Sequence, residues 1–318
     1  MTHDYILAFD VGGTYIKAGV LNAEGAVVDR SLTEYEARSS GTDVEILNHF
    51  TAIVKDLIHR LDHGNAAKIR GIGYAFPGPF DYEKGISYIR GLNKFDDIYG
   101  INIGERLKER FHRDPAIAGS LTADWKLVFE NDASSFALGE AVYEQVSASS
   151  RVVCMTIGTG LGSGFVEEGR LVKHRQDVPD MGWLYPIPYE NGMADDYVSR
   201  RGLLTLAAQL GIELTDDQDV KELAEMAYAG NEQAVQLFRW FGSRMADIVG
   251  SSLREFQPDV VVLGGQISKS GDLFVPAFIS SLREQGVTAQ VKLSENTQFS
   301  TFRGIYHLIM TGEISEKK

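Results

Sequence analysis

The sequence predicts an α/β protein built as two similar domains, and three observations carry that prediction. The first is a glycine-rich turn. The apolar run Ile6-Leu7-Ala8-Phe9 ends in Asp10-Val11-Gly12-Gly13-Thr14. Tyr15-Ile16-Lys17-Ala18-Gly19-Val20-Leu21 follows, too short and too β-branched for a good helix, and Asn22-Ala23-Glu24-Gly25 reads as a hairpin turn. The glycine turn therefore joins two antiparallel strands, where a dinucleotide fold or a P-loop would place a helix. The second observation is that this layout recurs. Residues 152–157 are an apolar strand, Gly158-Thr159-Gly160-Leu161-Gly162-Ser163-Gly164 is a glycine turn, Phe165-Val166 resumes a strand, and Glu167-Glu168-Gly169 turns into Leu171-Val172. Gly13 to Gly25 is 12 positions and Gly158 to Gly169 is 11. Two copies of one β-meander, each opening half of the chain, predict two like domains facing each other across a cleft. The third observation is helical periodicity between the strands, clearest over residues 44–61. A chain of 318 residues has room for two cores.

Taken in order, the first hairpin leads to Val27-Val28, read as a third strand. The helix over 44–61 has Thr42 or Asp43 as its N-cap. Residues 69–75 form a strand that runs into Phe76-Pro77-Gly78-Pro79, a rigid loop without ladder hydrogen bonds. Residues 91–100 are loop-like and 103–111 a shorter helix. His112-Arg113-Asp114 spells the start of a protein-kinase catalytic loop, but the Leu, Asn and Asp-Phe-Gly that should follow are missing. The chain turns irregular over 115–124, which places the domain crossing there: 1–120 as the first domain, 121–301 as the second, and a final helix from about 302 packing back on the first, with a frayed end at 317–318. Residues 126–129 form a short strand ending in Glu130-Asn131-Asp132, and 133–146 a helix. The stretch 173–191 is extended and partly buried. Helices follow over 194–210, 220–229 and 232–256, then a buried strand over 259–263 ending in Gly264-Gly265, and a helix over 273–284.

Composition narrows the function. With 44% hydrophobic and 24% charged residues the chain is globular, and a net charge of −13 argues against nucleic acid as its main partner. Its one cysteine, Cys154, lies in an apolar run, so neither an intramolecular disulfide nor a thiolate zinc cage can form. The chain opens on no signal peptide and no apolar run approaches the ~18 residues of a membrane span. A cytoplasmic protein without membrane contact is expected. The two glycine turns are candidate phosphate sites, because bare N–H groups around such a turn form an anion-binding concavity. A carboxylate at a strand tip, Asp10, suits a metal–phosphate group. Asn131 and Asp132 are placed either to grip a polyol or to cap the helix after them. Gly264-Gly265 either bring backbone close to a purine or form an ordinary strand-to-helix turn.

Asp10-Val11-Gly12-Gly13-Thr14, Glu130-Asn131-Asp132, Gly158-Thr159-Gly160-Leu161-Gly162 and Val262-Leu263-Gly264-Gly265, in that order, resemble the ROK family (repressors, open reading frames and sugar kinases) of the actin-like ATPase superfamily. The resemblance covers nearly the whole chain, the Pro77-Gly78-Pro79 turn included. It implies two ribonuclease-H-like domains around a central cleft, ATP and Mg²⁺ as cosubstrates, a hexose-type sugar as phosphoryl acceptor, and a homodimer. ROK repressors carry an N-terminal helix-turn-helix; this chain begins its first strand by Tyr5, which favours a kinase. By residue, the resemblance implies Asp132 as the catalytic base, Gly78 and Asn131 as sugar contacts, Asp10 as the Mg²⁺ acid acting through water, Gly12, Gly13, Thr14, Gly158, Thr159 and Gly160 as phosphate loops, and Gly264 and Gly265 as adenosine glycines. Lys17 points either at phosphate or at solvent. The family's Glu-x-Gly-His appears here as Asp180-Met181-Gly182-Trp183, and its Gly-Cys-x-Glu as Gly192-Met193-Ala194-Asp195. The sugar-contacting glutamates become Asp180 and Asp195, one methylene shorter. No zinc site can be assembled. Trp183, in the histidine's place, either stacks on a sugar face or fills the vacated zinc volume.

Overall fold

The structure is a computed structural model that describes residues 3–61, 67–143 and 150–312. Its contacts divide the chain into one unit of Met1–Gly139 with Gln298–Ile314 and another of Glu140–Thr297. Among the described residues no helix is long and apolar enough to cross a membrane.

The first unit contains β1 (His3–Val11), β2 (Tyr15–Leu21), β3 (Thr33–Glu36), α1 (Asp43–His59), β4 (Ala67–Phe76), the small hairpin β5 (Phe80–Asp81) and β6 (Ile86–Ser87), α2 (Ile103–Arg113), the one-turn α3 (Pro115–Ala118), β7 (Leu121–Asn131) and α4 (Asp132–Tyr143). Its sheet runs β3-β2-β1-β4-β7, antiparallel through the meander and parallel from β1 to β7. The third strand is Thr33–Glu36, not Val27-Val28; Val27 makes only an isolated bridge to Leu21. An edge strand with Glu34 and Glu36 turned to solvent lacks the apolar run that marks a strand in sequence. α1 starts at the predicted cap: Thr42 and Glu45 form a reciprocal capping box.

The second unit contains β8 (Arg151–Ile157), β9 (Leu161–Glu167), β10 (Arg170–Leu171), the hairpin β11 (Pro188–Tyr189) and β12 (Gly192–Met193), α5 (Ala194–Tyr197), α6 (Arg200–Gln209), α7 (Val220–Tyr228), α8 (Glu232–Phe256), β13 (Val260–Gly264), α9 (Gly271–Glu284) and β14 (Gln290–Leu293). Its sheet runs β10-β9-β8-β13-β14, with the same sequence of antiparallel and parallel pairings as the first. The repeat read from two glycine turns thus extends over five strands. The helix expected over 194–210 is two helices. Val198 leaves helical geometry and Ser199 starts again, its hydroxyl accepting from Gly202 N–H at 3.3 Å.

The last helix, α10 (Thr297–Thr311), returns to the first unit. Side chains alternate faces along a strand, and β4 uses both. Tyr74 and Phe76 meet Phe50 of α1, with ring centroids 5.5 Å and 6.2 Å apart. Gly71 and Gly73 leave room for α10: a Cβ on either would stand 2.4 Å or 2.3 Å from the Cγ2 of Ile309 or Ile305. Four helical residues rise about 6 Å and two strand residues about 6.6 Å, so the two pairs stay in step. α4 and α10 approach through Gly139 and Gly304.

β7 belongs to the first sheet, bonded to β4 from Gly71–Lys126 to Phe76–Asn131. The crossing predicted at 115–124 therefore lies inside the first unit, and the chain passes between units within α4 at Gly139/Glu140. Pro115, read as an irregularity, opens α3 with Asp114 as its N-cap. The end of the helix predicted over 133–146 and the tail 313–318 lie outside the described residues.

Candidate functional site

Three parallel strands of the first unit deliver polar residues to one edge. Asp10 and Glu130 both pair with Ala75, one from each side, and Phe76 pairs with Asn131. Asp132 and the Pro77-Gly78 turn therefore leave the sheet close to the same level. One residue earlier, Phe9, Tyr74 and Phe129 stack as a row, centroids 4.5 Å and 5.3 Å apart, and hold the strands together beneath this edge. The carboxyl ends of parallel strands are where open α/β sheets bind ligands.

The first glycine turn is closed by the Gly12 N–H, which donates to Tyr15 O at 2.9 Å. A Cβ on Gly12 would lie 2.8 Å from that oxygen, so the turn requires glycine. Gly13 and Thr14 lie outside the strands, and among the described residues their N–H groups have no hydrogen-bond partner. With the exposed Thr14 hydroxyl they suit an anion. Lys17 faces Asp10 across the β1–β2 ladder and is half-buried, so it stands beside the carboxylate.

Desolvation raises the Asp10 pKa from 3.8 to about 6; the charge of Asp132 adds to this and Lys17 opposes it. Two neighbouring carboxylates that resist ionising together, beside open N–H groups, are hard oxygen donors suited to Mg²⁺. The raised value has a consequence for stability. The folded state holds this proton more tightly than the unfolded chain, so the contribution of Asp10 is full below pH 4 and is lost as pH rises through about 6. In metal-free buffer Asp10→Asn is expected to stabilise the protein by about 3 kcal/mol at pH 7.5, with the gap to wild type closing by pH 4. Denaturant unfolding at both pH values checks it; equal stabilities at pH 7.5 would refute it.

Asp132 is the first residue of α4 and its Oδ1 accepts from Ala133 N–H at 2.9 Å. The side chain has an accessible face, yet desolvation keeps its pKa above the usual aspartate value, moderated by the Ala133 N–H and the charge of Lys94. Asn131 is buried. Its Oδ1 accepts from Ala133 and Ser134 N–H at 3.0 and 3.1 Å, and its Nδ2 donates to Tyr82 Oη at 3.3 Å. The cap is real, and the Asn131 side chain also hydrogen-bonds the Asp132 carboxylate. Tyr82 Oη also stands 3.3 Å from where a Gly78 Cβ would be and donates to Phe76 O at 3.0 Å. The first unit thus gathers Asp10, Gly12, Gly13, Thr14, Lys17, Gly78, Asn131 and Asp132 at one sheet edge. Sequence reasoning missed Tyr82, which orients this group, and Lys94, whose Cδ lies 2.8 Å from where a Gly13 Cβ would be. Neither stands in a motif.

In the second unit Gly158 N–H donates to Gly160 O at 3.0 Å, and a Cβ on Gly158 would meet open space. Leu161 N–H, at the end of the turn, donates to Asp195 Oδ1 at 2.7 Å, and Arg201 lies 3.3 Å from Asp195 Oδ2. Asp195 therefore supports the second glycine turn. Asp180 has 89% of its side chain exposed, with His174 Nδ1 at 3.4 Å. Gly264 pairs with Thr156, and Gly265 has φ +92° with a would-be Cβ only 2.4 Å from Ile157 O. This strand end closes against β8 only with glycine.

The sequence pattern that defines the ROK family matches residues 6–311. The chain belongs to the ROK family. A glucokinase of Thermotoga maritima is 24% identical over 289 residues, 84% of each chain. An N-acetyl-D-glucosamine kinase of Mannheimia succiniciproducens is 27% identical over 288 residues, 85% of this chain and 86% of that one. The crystal structure of a glucokinase from Parabacteroides distasonis superimposes with a TM-score of 0.78 at 20% identity, over 97% of this chain and 98% of that one. This ROK chain keeps the fold. The Trp183 ring is half-buried, 5.7 Å from Tyr185, and lies outside the apolar cluster of the second unit, so it is not core. The lone Cys154 is buried in β8.

Proposed function

We propose that this ROK protein is an ATP-dependent sugar kinase that transfers the γ-phosphoryl group to a hydroxyl of a hexose or hexose derivative. The observation that carries the reading is Asp132: an accessible carboxylate of raised pKa at the strand ends, beside a second carboxylate and a turn of open N–H groups. Phosphoryl transfer needs little covalent chemistry from the protein; it needs positioning, charge stabilisation and one base near the acceptor oxygen. Asp132 takes the proton of the attacking hydroxyl, and its raised pKa brings it nearer to working pH than an ordinary aspartate. The amide of Asn131 and the backbone at Gly78 orient the sugar. Gly12, Gly13 and Thr14, with Lys17, hold phosphate oxygens; Gly158, Thr159 and Gly160 form the second phosphate turn, and Gly264 and Gly265 accept the adenosine. Mg²⁺ bound to the nucleotide and facing Asp10 would neutralise charge that develops on the phosphates.

The relatives named as a glucokinase and an N-acetyl-D-glucosamine kinase support glucose or its N-acetylated amine as first substrates to test. Purified protein with ATP and Mg²⁺ should phosphorylate at least one of glucose, fructose, mannose, their N-acetylated amines or a β-glucoside. No turnover on any of them would overturn the proposal. A second reading, a sugar-sensing protein without catalysis, is favoured by one observation, the use of Asp195 to hold Leu161 N–H. Calorimetry showing sugar binding without ATP binding would select it.

A further inference from the structure

Lys94 lies in the stretch between β6 and α2 that no motif covers. Its backbone is set by an unusual turn: Asn93 has φ 54° and Phe95 φ 57°. For a bulky residue such as Phe95 the left-handed region is a true outlier, and outliers of this kind collect at functional sites. Phe95 is held there by full burial and by the Phe76 ring, centroids 5.2 Å apart. Ser39 then ties the turn to the first glycine turn: Phe95 N–H donates to Ser39 O, and Ser39 Oγ donates to Gly13 O, both at 2.6 Å. Two fixed contacts therefore aim one side chain.

That side chain runs over Gly13, with its Cδ 2.8 Å from where a Gly13 Cβ would be. Lys94 is half-buried, and among the described residues its ammonium has no hydrogen bond or ion pair. Its charge acts on Asp132. A cation that packs over the phosphate turn and makes no hydrogen bond or ion pair among the described residues is open to a further partner of negative charge. We propose that Lys94 binds the terminal phosphate of ATP and stays on it during transfer. This rests on the kinase reading above and deepens it.

In the transfer, the acceptor oxygen forms the new P–O bond and its proton goes to Asp132. The bond to the β-phosphate oxygen breaks, and its electron pair leaves on ADP. Charge spreads over the three remaining oxygens of the moving group, where an ammonium with three donors is well matched.

The test compares ATP with ADP. By calorimetry with Mg²⁺ present, Lys94→Met is expected to weaken ATP binding about tenfold while ADP binding stays within about twofold of wild type. On a sugar that wild type phosphorylates, kcat should fall about tenfold to a hundredfold with sugar KM within about twofold, and Lys94→Arg should recover part of the loss. Equal ATP binding by wild type and Lys94→Met, or an equal loss of ATP and ADP, overturns the inference. Wild type that binds ATP but phosphorylates no sugar overturns the kinase reading alone, and the ATP-to-ADP ratio still decides Lys94. Wild type that binds no ATP overturns both.

Discussion

Asp132→Asn is expected to lower kcat by about 10²- to 10⁴-fold while leaving the fold and the sugar KM nearly unchanged. The substitution is nearly isosteric. An asparagine Oδ1 can accept from Ala133 N–H as the carboxylate does at 2.9 Å, so α4 keeps its first turn. What it cannot do is take a proton. Desolvation raises the pKa of Asp132, so the acid limb of the wild-type kcat/KM profile should lie above the 3.8 of an ordinary aspartate. Activity should fall as pH drops through that limb. Steady-state rates with circular dichroism on the same preparation measure both arms. An Asp132→Asn enzyme within tenfold of wild type, or with a wild-type acid limb, would remove the base from this residue.

Gly304→Ala should destabilise the protein on the order of 2–4 kcal/mol, against the usual trend for a helix. In an isolated helix the change would help by about 1 kcal/mol. Here a Cβ on Gly304 would stand 1.9 Å from Ser135 O, and one on Gly139 would stand 1.8 Å from Ser300 O. Each helix meets the other's backbone, which cannot step aside as a flexible side chain can. The second unit uses the same device: a Cβ on Gly242 of α8 would lie 2.2 Å from Phe274 O of α9. Urea unfolding gives the answer directly. A loss under about 1 kcal/mol for Gly304→Ala would mean that the helices separate without penalty.

How legible the molecule was depended on whether a residue's reason lay nearby in sequence. The glycine turns were readable because Gly12 answers to Tyr15, three positions away. Their recurrence led to two sheets of one topology, since a repeated meander repeats its pattern. The outer strand β3 leaves no mark in the sequence because its exposed edge carries glutamates and no apolar run. The break before α6 was missed because Ser199 acts through one hydroxyl on Gly202 N–H. The passage between units was hidden inside α4, where helical periodicity runs on without a signal. Asn131 is legible as a cap because the N–H groups its Oδ1 accepts from, Ala133 and Ser134, lie two and three positions on. The role of Asp195 is not legible nearby, since its partner, Leu161 N–H, lies 34 residues away. Lys94 was invisible for the same reason, since its neighbour Gly13 is distant in sequence.

The return of α10 to the first unit bears on how the chain is made. Gly71 and Gly73 of β4 are shaped for Ile305 and Ile309, and α4 is shaped for Gly304. During synthesis the first sheet emerges early with one face uncovered, and its cover is translated only after the second unit. The second unit, continuous from Glu140 to Thr297, has all its strands before that helix exists. Vectorial folding should therefore complete the second unit ahead of the first, with the nascent β4 face as the surface that a chaperone or an aggregating neighbour meets.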